Sequence, residues 1–185
     1  MKKFLIRLIK KCLGVEEISV EWLRKKGAIV GEDVDLYSFN CSGKDATCLE
    51  IGNHVTLTGV HIITHDASLK RFIGNDCNKV GRVVIGNNVF VGMHTIILPN
   101  VRIGNNVIIG AGSVVSSNIP DNSVAVGNPA KVICTCDEML EKHRKRMVDD
   151  NVYRNLNRSE MSNAERIRFN KEIDGRIVYL IDDDE

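Results

Sequence analysis

Between Val83 and Lys131, aliphatic residues return every six positions: Ile85, Val91, Ile97, Ile103, Ile109 and Val115. Gly follows at Gly86, Gly92, Gly104 and Gly110, and a smaller series lies four places on, at Val89, Thr95, Val101, Val107 and Ser113. A helix of period 3.6 would not keep one residue type in phase at every sixth position. Self-similarity at this period predicts a parallel β-helix, each hexad forming one short face of a prism.

The aliphatic residue of each hexad then points inward and stacks on its equivalent in the next coil. The adjacent Gly suits a corner where backbones approach closely. Asn87, Asn88, Asn105 and Asn106 fit turn positions, because a short amide tolerates unusual backbone angles and bonds locally. One coil cannot bury its own inner face, so the repeats must stack.

Outside this stretch the pattern weakens. Residues 1–13, MKKFLIRLIKKCL, place Leu5, Leu8, Ile9 and Cys12 on one helical face among Lys2, Lys3, Arg7, Lys10 and Lys11. Such a helix packs on a neighbouring coil or subunit, or makes weak contact with a membrane surface. Arg7 interrupts the apolar run that a signal peptide needs. Residues 19–26 predict a second short helix with Ser19 as N-cap, ended by Gly27, with Trp22 over the end of the prism.

The first coil begins near Ile29. Residues 38–48 break the period, which resumes at Ile51 and continues through Leu57 to Ile63. Between Ile63 and Ile85 the phase slips, and an excursion over about 64–82 leaves the prism. After Ile133 the hexads stop. Residues 136–148 predict a charged helix, Ser162–Glu165 a capping box, and the last residues a short strand with an acidic tail. The organisation expected is a helical segment 1–27, a β-helix domain 28–133 and a mostly helical extension 134–185.

Composition adds exclusions. The 185 residues carry a formal net charge of +1, so no overall basic excess points to nucleic acid. Aromatic residues are 5%, in keeping with a prism filled by Ile and Val. The six cysteines match no zinc or redox spacing, which favours reduced thiols in a cytoplasmic protein. No stretch is long enough to span a bilayer. The expected location is therefore the cytoplasm, with the inner face of the membrane open to residues 1–13.

The hexads resemble the hexapeptide-repeat acyltransferases. Ile109 to Ile133, and above all GNPAK at Gly127–Lys131, resemble the closing coils of the maltose and galactoside O-acetyltransferase branch. The resemblance implies a left-handed parallel β-helix as an all-β core. It also implies acetyl-CoA as donor, no metal, and a homotrimer with sites between subunits. His65, in HIITHDAS just before the excursion, matches the family's catalytic base. Imidazole exchanges protons near neutral pH, as deprotonation of an acceptor hydroxyl requires. Asp66 or a backbone carbonyl would orient it.

The resemblance sets the oxyanion donor at the Met93 N–H, where many relatives carry a small residue. It sets the acetyl-CoA groove along Gly92, Met93, Gly110, Ala111, Ser116 and Ser117, with Lys131 against a CoA phosphate. Ser117 and Cys134 stand where relatives often carry basic residues, a loss that Lys142, Arg144 or Lys145 would offset. Tyr37, Asn40 and Asp66 are the candidates for acceptor contacts. The γ-class carbonic anhydrases share the fold, but His54, His61, His65 and His94 lack their ligand spacing. Serine acetyltransferase, which carries a long N-terminal helical domain, is the less expected reading.

The function expected is acetyl transfer to a hydroxyl of a sugar or polysaccharide precursor. N-acetylation of a nucleotide-linked amino sugar, or a non-catalytic trimeric scaffold, are the alternatives.

Overall fold

A computed structural model describes residues 18–41, 43–73 and 77–182. The helix expected in 1–13 and the last acidic residues lie outside them. The chain divides into two compact units, Met1–Asp137 and Glu138–Glu185.

The first unit is the prism. Helix α1 (Val20–Lys25) starts at Ser19, whose Oγ accepts the Trp22 N–H at 3.2 Å. It drives Leu23 wholly out of solvent against the core. Trp22 packs there while only partly buried.

Three sheets form the faces. Sheet A takes β1 (Ile29–Val30), β4 (Leu49–Ile51), β9 (Val83–Ile85) and β12 (Arg102–Ile103). Sheet B takes β2 (Val34–Tyr37), β5 (Val55–Thr58), β10 (Val89–Val91), β13 (Val107–Ile109), β15 (Ser123–Val126) and β16 (Lys131–Thr135). Sheet C takes β3 (Asn40–Cys41), β6 (His61–Ile62), β11 (Ile96–Ile97) and β14 (Val114–Val115). All their pairings are parallel except β15 with β16, which turns back antiparallel. Val89 lies beside Val107, so a full coil is 18 residues, or three hexads.

Both predicted series point inward. Ile85, Val91, Ile97, Ile103, Ile109 and Val115 are at most 1% exposed. The second series is equally buried, including the polar Thr95 and Ser113. Gly86 shows why Gly follows the aliphatic residue: a Cβ there would stand 2.6 Å from the Gly104 carbonyl oxygen of the next coil. The asparagines do more than turn. Asn53, Asn87 and Asn105 form a side-chain ladder ending on Asp121, each accepting a backbone N–H from the coil before. The residues after them, His54, Asn88, Asn106 and Asn122, take left-handed backbone angles near φ +55.

Three positions differ from the sequence reading. The inward residue after Leu57 is Ile62, 2% exposed, rather than Ile63. Leu57 and Ile62 are five apart where their partners Val91 and Ile97 are six apart, because Gly59 (φ +58) turns its corner one residue sooner. The early break is also shorter than 38–48. Asn40–Cys41 is already a strand of sheet C, and only the 3-10 turn Gly43–Cys48 departs. Finally, Ile62 and Ile85 are 23 apart where their partners Ile97 and Ile103 are six apart, so seventeen residues are inserted at one corner. The neck of this excursion is a two-residue antiparallel ladder of β7 (His65–Asp66) and β8 (Lys79–Val80), beyond which lies the single turn α2 (Lys70–Ile73).

Helix α3 (Cys136–Arg146) follows β16. In the second unit β17 (Val152–Arg154) pairs in parallel with β18 (Tyr179–Ile181). Helix α4 (Asn163–Glu172) opens with the Ser162/Glu165 capping box. Phe169 is its buried anchor, edge-on to Tyr153 at 5.3 Å. Strand β17 has no counterpart in the sequence reading, since three residues carry too little alternation to register. Among the described residues no helix is long and apolar enough to cross a membrane.

Candidate functional site

Sheet C lies between two corners, and the expected site residues divide between them. At one end each coil leaves its strand, at Ile63–His65, Leu98–Asn100 and Ser116–Asn118. At the other end each coil enters, at Gly59, Met93–His94 and Ala111–Gly112.

The leaving corner carries His65. Regular coil geometry ends where the Thr64 carbonyl accepts the Gly81 N–H at 2.8 Å. His65 then pairs with Val80 and Asp66 with Lys79. The Lys79 ammonium stands 2.5 Å from Asp66 Oδ2, and the Ser68 N–H donates to Asp66 Oδ1 at 2.8 Å. The Lys79 hydrogen bond, then the Ser68 bonds, hold the Asp66 carboxyl down at about 2. Its carboxylate therefore serves the neck of the excursion.

His65 is exposed on an open cleft of about 560 Å³. The neck residues Asp66, Ala67, Lys79 and Val80 form one wall, and Leu98, Pro99, Asn100 and Ser116 of the following coils form the other. An aliphatic floor with a few convergent polar groups is the usual character of a small-molecule site. Asn100, held at φ +64, escaped the sequence reading because it looks like any other turn Asn. Lys79 escaped because its partner is thirteen positions away across a ladder the hexads do not encode.

The entering corner carries Met93. Its carbonyl accepts the Gly112 N–H at 2.8 Å, and the His94 N–H donates to the Gly59 carbonyl at 3.1 Å. The corner is thus tied to the coil on each side. Among the described residues the Met93 N–H has no backbone hydrogen-bond partner of its own. Inside the prism, Thr95 and Ser113 both donate to the Gly110 carbonyl, at 3.2 and 2.6 Å. Ser113 Oγ also accepts the Gly127 N–H at 3.0 Å. These two breaks in the aliphatic series are therefore satisfied braces behind the corner.

Gly92, Met93, Gly110 and Ala111 share this column, and Lys131 opens β16 beside Val126 at its upper end. Tyr37 belongs to the same corner, its carbonyl accepting the Gly59 N–H at 2.5 Å. Asn40 lies on sheet C in the row of His61 and Ile96. Ser116 faces the His65 cleft, and Ser117 follows it at the leaving corner. The cleft wall thus includes Asp66 and Ser116 but neither Tyr37 nor Asn40.

Within this chain His65 and Met93 stand at opposite ends of sheet C. The extended run Thr95–Leu98 between the two corners is on the order of 13 Å long. A base and an oxyanion donor must each stand about 3 Å from a shared reacting centre.

The other histidines are dispersed. His54 bonds Asp33 Oδ2 at 2.8 Å on a different corner. Among the described residues no three His, Cys, Asp or Glu side chains group as a metal site. Cys41, Cys48, Cys77, Cys134 and Cys136 form no disulfide.

The parallel prism of 18-residue coils is built from hexads that a family of transferases shares. Residues 82–117 match the bacterial transferase hexapeptide family, described by six repeats. The chain is 41% identical over 166 residues to Protein CapG of Staphylococcus aureus, covering 86% of this chain and 91% of CapG. It is 41% identical over 102 residues to a galactoside O-acetyltransferase of Lactococcus lactis, covering 51% of this chain and 47% of that one. A maltose O-acetyltransferase structure from Clostridium difficile superposes with a TM-score of 0.51 at 40% identity, over 57% of each chain. The chain thus spans nearly all of CapG and about half of the two named O-acetyltransferases. It belongs to the hexapeptide-repeat transferases.

Proposed function

We propose that this chain transfers the acetyl group of acetyl-CoA to a hydroxyl of a sugar or polysaccharide precursor. It does so as a homotrimer whose sites form between subunits. The observation that carries the reading is the division of the machinery between the two ends of sheet C: His65 in a cleft at one, the Met93 N–H at the other. Around a threefold axis the leaving corner of one subunit faces the entering corner of the next.

In that arrangement the neutral imidazole of His65 takes the proton from the acceptor hydroxyl as its oxygen attacks the thioester carbonyl. The carbonyl electron pair moves to oxygen, and the Met93 N–H of the neighbouring copy donates to the oxyanion. Collapse of the tetrahedral intermediate breaks the C–S bond. The imidazolium then returns its proton to the departing thiolate. Gly110 and Ala111 let a pantetheine arm lie close to the coil, and Lys131 offers a point charge at its phosphate end.

The test is acetyl-CoA-dependent thiol release with a panel of sugars, amino sugars included. Acceptor-dependent release is expected, preferring hydroxyls and falling roughly 10²- to 10⁴-fold in His65→Ala. Mixed trimers check the shared site. His65→Ala and Met93→Pro, which deletes the N–H, should each be inactive alone and regain activity when co-assembled. No rescue on co-assembly would refute a site shared between subunits. Transfer only to amines would replace the hydroxyl acceptor with an amino sugar.

A further inference from the structure

The corner that carries the proposed oxyanion donor also carries a large side chain, and its direction has a consequence. The corner has two versions along the column. At Met93–His94 and at Ala111–Gly112 the turn is one residue longer than at Gly59. The upper one bears only Ala111 and Gly112. The lower one bears Met93, whose side chain is half exposed. That side chain folds downward over the preceding coil: a Cβ placed on Gly59 would stand 3.1 Å from Met93 Cγ and 3.4 Å from the His94 nitrogen. The space over Gly59 is thus taken by the Met93 side chain. Below Gly59 the column ends on Tyr37, itself exposed.

We infer that the Met93 side chain is the stop that limits the transferred acyl group to a short chain. The inference rests on the acetyl-CoA reading above. There the arm descends from Lys131 past Gly110 and Ala111 to the Met93 N–H, where the carbonyl oxygen is held. Carbons beyond the acetyl methyl would continue along the same column, onto Gly59, into the space Met93 occupies. A methionine is the right kind of stop for graded discrimination. It fills the space yet can swing, so it penalises each added methylene without excluding the first absolutely. The donor is a backbone group and is indifferent to the side chain, so specificity and catalysis are separable at this one residue.

The experiment compares kcat/KM for acetyl-, propionyl- and butyryl-CoA, at a fixed acceptor, in the wild-type full chain, Met93→Leu and Met93→Ala. The readout is the butyryl-to-acetyl ratio, which an overall loss of activity or of folded protein does not move. The wild type should prefer acetyl-CoA, and Met93→Leu should keep that preference. In Met93→Ala the ratio should rise on the order of 10-fold, the discrimination expected for a methylene or two in a fitted pocket. If acetyl-CoA is used but the ratio is the same in all three proteins, the stop is overturned while the acetyltransferase reading stands. A wild type that accepts butyryl-CoA as readily as acetyl-CoA overturns it equally. If no acyl-CoA releases thiol with any protein, the acetyl-CoA reading fails, and the stop with it.

Discussion

The two corners that bound sheet C are built by different means. The Met93 corner is held from inside the prism. Buried hydroxyls of Thr95 and Ser113 tie it to the Gly110 carbonyl and the Gly127 N–H, and its backbone bonds to the coils above and below. The His65 corner is held from outside, by a two-residue ladder and an ion pair on the surface. The contrast matches what each corner is asked to do. A hydrogen-bond donor to a developing charge is effective only if it is already in place, since reorganising it would cost what it contributes. A base on the rim of an open cleft has to admit an acceptor, and a segment of low local stability can do so.

The largest stability effect should come from what the two corners share. Ile97, wholly buried between them, should cost about 2–5 kcal/mol when changed to Ala, read from denaturant unfolding. A cost below about 1 kcal/mol would mean the prism interior is slack and the contrast of corners unfounded. Next in size is Ser113→Ala. It removes a buried hydroxyl that donates to the Gly110 carbonyl and accepts from the N–H of the exposed Gly127, for about 0.5–1.5 kcal/mol. The same change should speed amide exchange at Gly127 and leave the His65 neck as it was.

Asp66→Asn should leave stability close to that of the wild type, because its ion pair with Lys79 is at the surface and screened by solvent. Its mark should appear in catalysis instead. A His65 loosened at its neck should lose about 10-fold in kcat, with restoration by no other single change at the entering corner. Unaltered kcat would sever the ion pair from the base.

The smallest effect is one of pH. The folded Asp66 carboxyl titrates at about 2, below its ordinary 3.8. A depressed carboxyl contributes its stabilisation fully above the unfolded value and loses it as pH falls through the folded one. The stabilisation from the neck pair should therefore be full above about pH 4 and be lost between there and about pH 2, while the carboxylate itself becomes half protonated only near the lower value. Carboxyl chemical shifts followed by NMR would detect it; a midpoint near 4 would mean that the pair does not form in solution.

The prism was legible in the sequence because a solenoid writes its core as a period. Each inward residue meets its own equivalent, so six-fold spacing states both fold and burial. Legibility failed where the count changed. Ile63 stood in for Ile62 because a positive-φ Gly59 shortens its corner, and no residue type announces the omission. The Asn positions were readable as turns, but their ladder was not, since it depends on coils 18 residues apart standing in register. His65 and Met93 could be picked out singly by resemblance. That they stand at opposite ends of one sheet could not, because a motif records neighbours along the chain, whereas sidedness comes from counting residues around a coil.

Strand β16 reverses direction on β15, and this bears on how such a stack ends. Coils that each template the next form, in principle, an endless ladder, and the open rim of a β-helix is the kind of edge that nucleates fibres. A second copy would have to continue the row in the same sense, hydrogen bond for hydrogen bond. At the far rim it meets a strand running the other way, with Lys131 at its start, and so finds no coil to extend. At the near rim, α1 drops Leu23 into the mouth of the prism. The two ends are terminators: they let a repeating sequence have a finite length.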